Sequence, residues 1–195
     1  MPFGARGRTA PPRRFAMLPG IMLGKRSVFL IGPMGSGKSA VGKYLARLLG
    51  LRFFDSDTEI ERRTGVDIPY IFDREGESGF RQREREAIEL LTAMQGIVLA
   101  TGGGAILLPE NRRVLADRGF VVYLETSVGQ QAERVKQGRT RPLLANVDTL
   151  TKLEQLMEER VPLYKDIADA VVSTDGRRVR TVAEEILRKL QTDKI

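Results

Sequence analysis

The chain of 195 residues contains no cysteine and no histidine. Without cysteine it can form no disulfide, no thiolate metal site and no cysteine nucleophile. Without histidine it can form neither a Ser-His-Asp triad nor a histidine-ligated metal site, and it lacks the side chain most often used as a general base. Its chemistry therefore rests on carboxylates, lysine, arginine, hydroxyls and backbone groups. A run of about 18 apolar residues is also missing, so no membrane-spanning helix is expected. No internal repeat and no second domain are visible. The length fits one compact domain, and the apolar share of 42% and charged share of 29% are ordinary for a globular fold.

The net charge of +7 is concentrated at one end. Arg6, Arg8, Arg13, Arg14, Lys25 and Arg26 precede any acidic residue and account for six of the seven charges. The rest of the chain is close to neutral, so no basic face for gripping a nucleic acid is expected. Residues 1–26 also carry Pro2, Pro11, Pro12 and Pro19 with Gly4, Gly7, Gly20 and Gly24, which suit neither helix nor strand. They read as a disordered basic extension, followed by a single domain over 27–195. The extension is Arg-rich and acid-free like a transit peptide, but serine-poor, and it has no apolar core of a secretory signal. Met17 or Met22 could be the true start. A cytoplasmic location is expected.

From Ser27 onward, short apolar runs alternate with helical patterns. Strands are expected at Ser27–Ile31, Leu51–Phe54, Ile97–Ala100, Phe120–Leu124 and Ala170–Val172. Helices are expected over Lys38–Leu49, from near Thr58, over Glu77–Met94, Asn111–Arg118, Val128–Gln137, Leu150–Asp166 and Val182–Leu190, with Gly138–Val147 as a loop and Pro162 ending or kinking its helix. Strands without polar alternation, separated by helices, predict an α/β fold with a parallel sheet covered on both faces. In such sheets ligands sit beyond the carboxyl ends of the strands, and motifs follow strands one, two and three.

The first motif, Gly32-Pro33-Met34-Gly35-Ser36-Gly37-Lys38-Ser39, matches G-x-x-x-x-G-K-[ST] between a strand and a helix. Its glycines let successive N–H groups turn inward as an anion nest, and the helix start adds partial positive charge. Lys38 would place a full charge on the β- and γ-phosphates of ATP or GTP, and Ser39 would offer a hydroxyl to Mg²⁺. A chance match is expected in roughly one chain of this length in a hundred.

The second and third motifs face an acceptor. Asp55 and Asp57, two residues apart on an extended chain, would point the same way. They could hold water-coordinated Mg²⁺ or orient a substrate hydroxyl, or be two solvated acids in a turn. Gly102-Gly103-Gly104 lets a ligand approach bare backbone, or is a flexible turn. Arg81 and Arg85 share a helix face, while Arg83 and Arg85 read as part of a solvated, salt-bridged surface with Glu84 and Glu86. Arg139 and Arg141 precede Pro142-Leu143-Leu144 in a loop suited to act as a charged lid. Arg160 could serve the site or cap a helix C-terminus.

In this order, GPMGSGKS, FFDSD, SGFRQRE with its Phe-Arg-x-x-Glu core, TGGGA, RPLL and ERVPLYKDIAD resemble shikimate kinase, from about Ser27 to Leu190. The resemblance implies a three-layer α/β/α P-loop kinase fold with a five-stranded parallel sheet and a mobile lid. It also implies transfer of phosphate from ATP to the 3-hydroxyl of shikimate, within aromatic amino-acid biosynthesis, by a monomer without nucleic-acid or membrane partners. Gly35, Ser36, Gly37, Lys38, Ser39 and Ala40 would bind ATP, with Arg141 on its phosphates and Arg177 near its base. Ser39 and Asp55 would hold Mg²⁺, Asp55 through water. Asp57 would contact the accepting hydroxyl, Arg81 and Arg160 the carboxylate, and Gly102, Gly103 and Gly104 the substrate. Lys38, Asp57 and Arg141 would be the catalytic groups. The nearest alternative is another small P-loop kinase, for gluconate or a nucleoside monophosphate. A nucleotide-dependent switch or nucleic-acid factor using the basic tail fits the near-neutral core poorly.

Overall fold

The computed structural model describes residues 27–136 and 148–192. The basic extension, Gln137 and the proposed lid with Arg139 and Arg141 lie outside the described residues. Five strands form one sheet: β1 (Ser27–Ile31), β2 (Arg52–Asp55), β3 (Ile97–Ala100), β4 (Gly119–Glu125) and β5 (Ala170–Ser173). Their spatial order is β2-β3-β1-β4-β5, and every neighbouring pair is parallel. Seven α-helices are described: α1 (Lys38–Leu49), α2 (Ser56–Thr64), α3 (Ile68–Thr92), α4 (Pro109–Arg118), α5 (Val128–Lys136), α6 (Thr149–Ile167) and α7 (Val179–Thr192). None is long and apolar enough to cross a membrane.

Successive strand residues point to opposite faces, and each face has its own core. Val28, Leu30, Val98, Val122, Leu124 and Val172 pack with Val41 and Leu45 of α1 and Val182 and Ile186 of α7. Phe29, Ile31, Leu99, Val121 and Tyr123 pack with Ile88 and Leu91 of α3, Leu115 of α4 and Tyr164 of α6. Burial on both faces is why β1, β3 and β4 are unbroken apolar runs. Each fully buried aliphatic or Phe side chain contributes roughly 1.5–3 kcal/mol. The edge strand β5 departs from that expectation: Ala170 and Val172 are buried while Val171 and Ser173 are exposed.

Most helix ends differ from the sequence reading by up to three residues, and two helices differ in kind. α3 begins at Ile68 rather than near Glu77. Asp67 caps it through the Tyr70 N–H, and Gly76, at φ 67° and ψ −173°, breaks it in two. The first half buries Ile71 in a satellite cluster with Ile60, Phe80 and Ala87, which a scan for one continuous helical period misses. In α6, Pro162 neither ends the helix nor stops it before Ile167. Proline inside a helix costs about 3 kcal/mol. Here the burial of Leu153 and Tyr164 on one side of the helix works against that cost.

Gly76 occupies backbone space that only glycine enters readily. Gly76→Ala is therefore expected to lower stability by about 1–3 kcal/mol. Gly129→Ala, at a helical position in α5 where a Cβ meets nothing within 4 Å, is expected to raise it by up to about 1 kcal/mol. Guanidinium unfolding midpoints check both, and shifts of the same sign would contradict the break at Gly76.

Candidate active site

The loop between β1 and α1 turns on three glycines with positive φ: Gly32 at 142°, Gly35 at 76° and Gly37 at 86°. The tightest is Gly32, where a Cβ would lie 2.5 Å from the Leu124 carbonyl oxygen. α1 then starts without a side-chain cap and without an acidic residue in its first turn. Its first intrahelical bond runs from the Val41 N–H to the Gly37 oxygen, so the N–H groups of Lys38, Ser39 and Ala40 are the open donors of a helix start. Lys38 is buried, and its Nζ donates to the oxygens of Gly32 at 2.8 Å and Pro33 at 2.7 Å and to Ser36 Oγ at 3.3 Å. The arrangement concentrates positive charge and donors on one small concave loop.

Asp55 is the last residue of β2 and the N-cap of α2. Its Oδ1 accepts from the N–H groups of Asp57 and Thr58, and its Oδ2 accepts from Ser39 Oγ at 2.6 Å. Ser39 and Asp55 thus present adjoining hard oxygens beside the loop. That is the donor set Mg²⁺ takes at phosphate sites, where one or two protein oxygens and the phosphates share it. No cluster of three metal-ligating side chains exists among the described residues. Asp57 lies in the first turn of α2, not on an extended chain. Strand alternation with Asp55 therefore does not set its direction, contrary to the expectation from the sequence: the helix begins at Ser56, with Asp55 as its N-cap. Its carboxylate instead lies beside Gly102, in the turn that follows β3.

The Gly102-Gly103-Gly104 turn after β3 lies between these groups. A Cβ on Gly102 would meet Glu84 Oε1 at 2.6 Å and Asp57 Oδ1 at 2.8 Å. One on Gly103 would meet the Met34 N at 3.1 Å, and one on Gly104 would fall on the Arg81 guanidinium. Any side chain here would displace the Glu84, Asp57 or Arg81 head groups or press on the Met34 backbone. All three carbonyls are engaged: Gly102 by the Ala105 N–H, Gly103 by the Tyr164 hydroxyl and Gly104 by the Leu107 N–H. The Gly102 N–H donates to Ser56 Oγ at 2.9 Å. The N–H groups of Gly103 and Gly104 have no acceptor among the described residues.

Arg81 and Arg160 close the far side. Arg81 is buried, donating through Nη1 to Glu84 at 2.7 Å and through Nη2 to Glu77 at 2.8 Å. Burial works against its charge, but Glu84 and Glu77 outweigh that and raise its pKa. Arg160 is buried in the middle of α6, so it is not a cation at a helix end, and its Nε has no acceptor among the described residues. Glu84 is fully buried, with one oxygen on Arg81 and the other, Oε1, unpartnered among the described residues. Burial pushes its carboxyl up to about 7; Arg81 and Arg160 pull it down and the neighbouring charge of Asp57 pushes it further up.

The sequence reading passed over Glu84 as one of several surface acids. A signal was present: it shares a helix face with Phe80, Ala87, Ile88 and Leu91, so it sits among apolar positions of α3. Arg134 was also passed over. It donates to the Gly35 oxygen at 2.8 Å and the Thr174 oxygen at 3.2 Å, tying the phosphate loop to the segment after β5. Nothing in its polar helix distinguishes it from a solvated arginine. Arg177 lies in that segment, with its guanidinium donating to the Ser173 oxygen and to Glu185. Arg83 pairs with Glu75 and Arg85 is exposed, as a salt-bridged surface requires.

Among known proteins, a family model described as shikimate kinase matches residues 34–191. A shikimate kinase of Halorhodospira halophila is 55% identical over 164 residues, covering 84% of this chain and 93% of that protein. One of Buchnera aphidicola subsp. Schizaphis graminum is 52% identical over 171 residues, 87% and 99% of the two chains. The solved structure of a shikimate kinase from Acinetobacter baumannii in complex with shikimate aligns with a TM-score of 0.85 at 46% identity, covering 87% of this chain and 95% of that one.

A chain with neither histidine nor cysteine has few groups that titrate near neutrality, which isolates Glu84. Its folded-state pKa lies above the ordinary 4.5, so the folded state holds the proton longer than the unfolded one. Stability is then highest, for this group, below about pH 4.5 and falls as pH rises through about 7, by up to about 3 kcal/mol. Unfolding free energies between pH 5 and 8 should decline in the wild type and be nearly flat in Glu84→Gln. An equal slope in both would remove Glu84 as the titrating group.

Proposed function

The chain belongs to the shikimate kinase family, and on that premise we propose that it transfers the γ-phosphoryl group of ATP to the 3-hydroxyl of shikimate, releasing ADP. The observation that carries the acceptor is the pair of buried arginines, Arg81 and Arg160, near the N–H groups of Gly103 and Gly104, which have no acceptor among the described residues. Guanidinium forks suit a planar carboxylate, and a glycine turn suits ring hydroxyls. The set offers no aromatic platform for a nucleobase, which disfavours a nucleoside monophosphate. The solved complex of a related enzyme with shikimate supports the same acceptor.

In this reading the backbone from Gly35 to Ala40 and Lys38 receive the ATP phosphates, and Ser39 and Asp55 hold Mg²⁺, Asp55 through water. When bound, Mg²⁺ neutralises phosphate charge that builds up during transfer. Lys38 leaves its loop oxygens for the β- and γ-phosphates. Arg141 adds charge from the lid, and Arg177 lies near the base. Asp57 aligns the accepting hydroxyl and takes its proton as the bond to phosphorus forms. A strong base is not required, because the transition state is loose. Alignment and fixed charge do most of the work.

ADP release from ATP and Mg²⁺ should be strongly stimulated by shikimate and not by gluconate or AMP. Stimulation by either of those, with none by shikimate, would overturn the acceptor while leaving the phosphate loop in place. Asp57→Asn should keep ATP affinity and lose turnover by about 10²-fold or more. Near-normal turnover would remove Asp57 from the mechanism.

A further inference from the structure

We propose that Tyr164 is a positioning residue for the acceptor: its hydroxyl fixes the Gly103–Gly104 peptide, and so aims the N–H groups of the glycine turn. The proposal rests on the acceptor reading above. Three consecutive glycines have soft backbone dihedrals, and a turn that recognises a ligand through N–H groups works only if those groups are held in place. The carbonyls of Gly102 and Gly104 are held from within the turn, by Ala105 and Leu107. The Gly103 carbonyl is held from outside it, by a short hydrogen bond from Tyr164. A planar trans peptide points its C=O and the following N–H in opposite directions. Tyr164, by holding the Gly103 oxygen, therefore sets the direction of the Gly104 N–H. On the other flank Gly103 abuts the phosphate loop, at Met34, so the turn is clasped between loop and phenol.

Tyr164 and Arg160 lie one helical turn apart on α6, and both are buried. The guanidinium lies beside the phenol, although burial dominates and pushes the phenol up. One helix thus delivers a carboxylate-binding arginine and the support of the turn in a single register. The molecule also contains its own control. Tyr123 stacks on Tyr164 with ring centroids 4.9 Å apart and is equally buried, yet its hydroxyl has no partner among the described residues.

Steady-state kinetics on Tyr164→Phe and Tyr123→Phe test this. Tyr164→Phe should raise the KM for shikimate about tenfold, the value of one net hydrogen bond, with the KM for ATP within about twofold of wild type. Tyr123→Phe should change neither. Replacing Tyr164 by 4-aminophenylalanine, which restores an N–H donor at the same place, should return the shikimate KM towards wild type, and it carries the test should the Phe variant not fold. An unchanged shikimate KM in Tyr164→Phe, an equal rise in both KM values, or a raised shikimate KM in a folded 4-aminophenylalanine variant overturns the proposal. Wild-type enzyme that shikimate does not stimulate would instead overturn the acceptor reading beneath it.

Discussion

The position of β3 between β1 and β2 sets the distances on which the site depends. Leu30 of β1 and Asp55 of β2 both pair with Ala100 of β3. Parallel neighbours stand roughly 4.8 Å apart, so the three chains leave the sheet at one level and side by side. The phosphate loop follows the first, the aspartates follow the second and the glycine turn follows the third. The groups proposed to serve the two sides of the transfer therefore leave the same end of the sheet from adjacent positions. β4 and β5 serve the other flank, where the segment after β5 reaches the loop through Arg134.

That crossroads is charged and dry. Arg81, Arg160 and Glu84 are buried together, and burying ions costs several kcal/mol each unless partners replace the lost water. Arg81 is well supplied, by Glu84 and Glu77. Glu84 and Arg160 are each left with an atom lacking a partner among the described residues. Native proteins seldom leave buried polar atoms unpaired, and such atoms gather where function needs them. Here they lie beside a glycine turn in which the N–H groups of Gly103 and Gly104 have no acceptor among the described residues. Such a cluster stabilises the fold poorly, and it fits the proposal that these groups receive a small acid bearing hydroxyls.

The loop over Gly32–Ser39, the five strands and α1 were legible because each rests on local rules: glycine at positive φ, apolar runs, Gly50 ending a helix. So were Asp55, Arg81 and the glycine turn as candidates, since their residue types narrow the chemistry. What was not legible lies in caps, burial and long-range contacts that residue type and periodicity do not encode. Asp57 is aimed by a cap on the residue two before it, not by strand alternation. α6 runs through Pro162 because its buried side outweighs a local rule. Tyr164 gains its meaning from a turn about sixty residues earlier, at Gly103. Glu84 was legible in principle, as an acid on an apolar helix face, and was obscured by the charged residues around it.

A crystal structure with shikimate and ADP tests the central claim most directly, because it shows where the acceptor lies. The account predicts the shikimate carboxylate on Arg81 and Arg160, a ring hydroxyl against Asp57 and facing the phosphate loop, and an N–H of the Gly103–Gly104 turn donating to the ligand. Shikimate bound away from the two arginines, or with its carboxylate on Lys38 and its hydroxyls turned from Asp57, would contradict it.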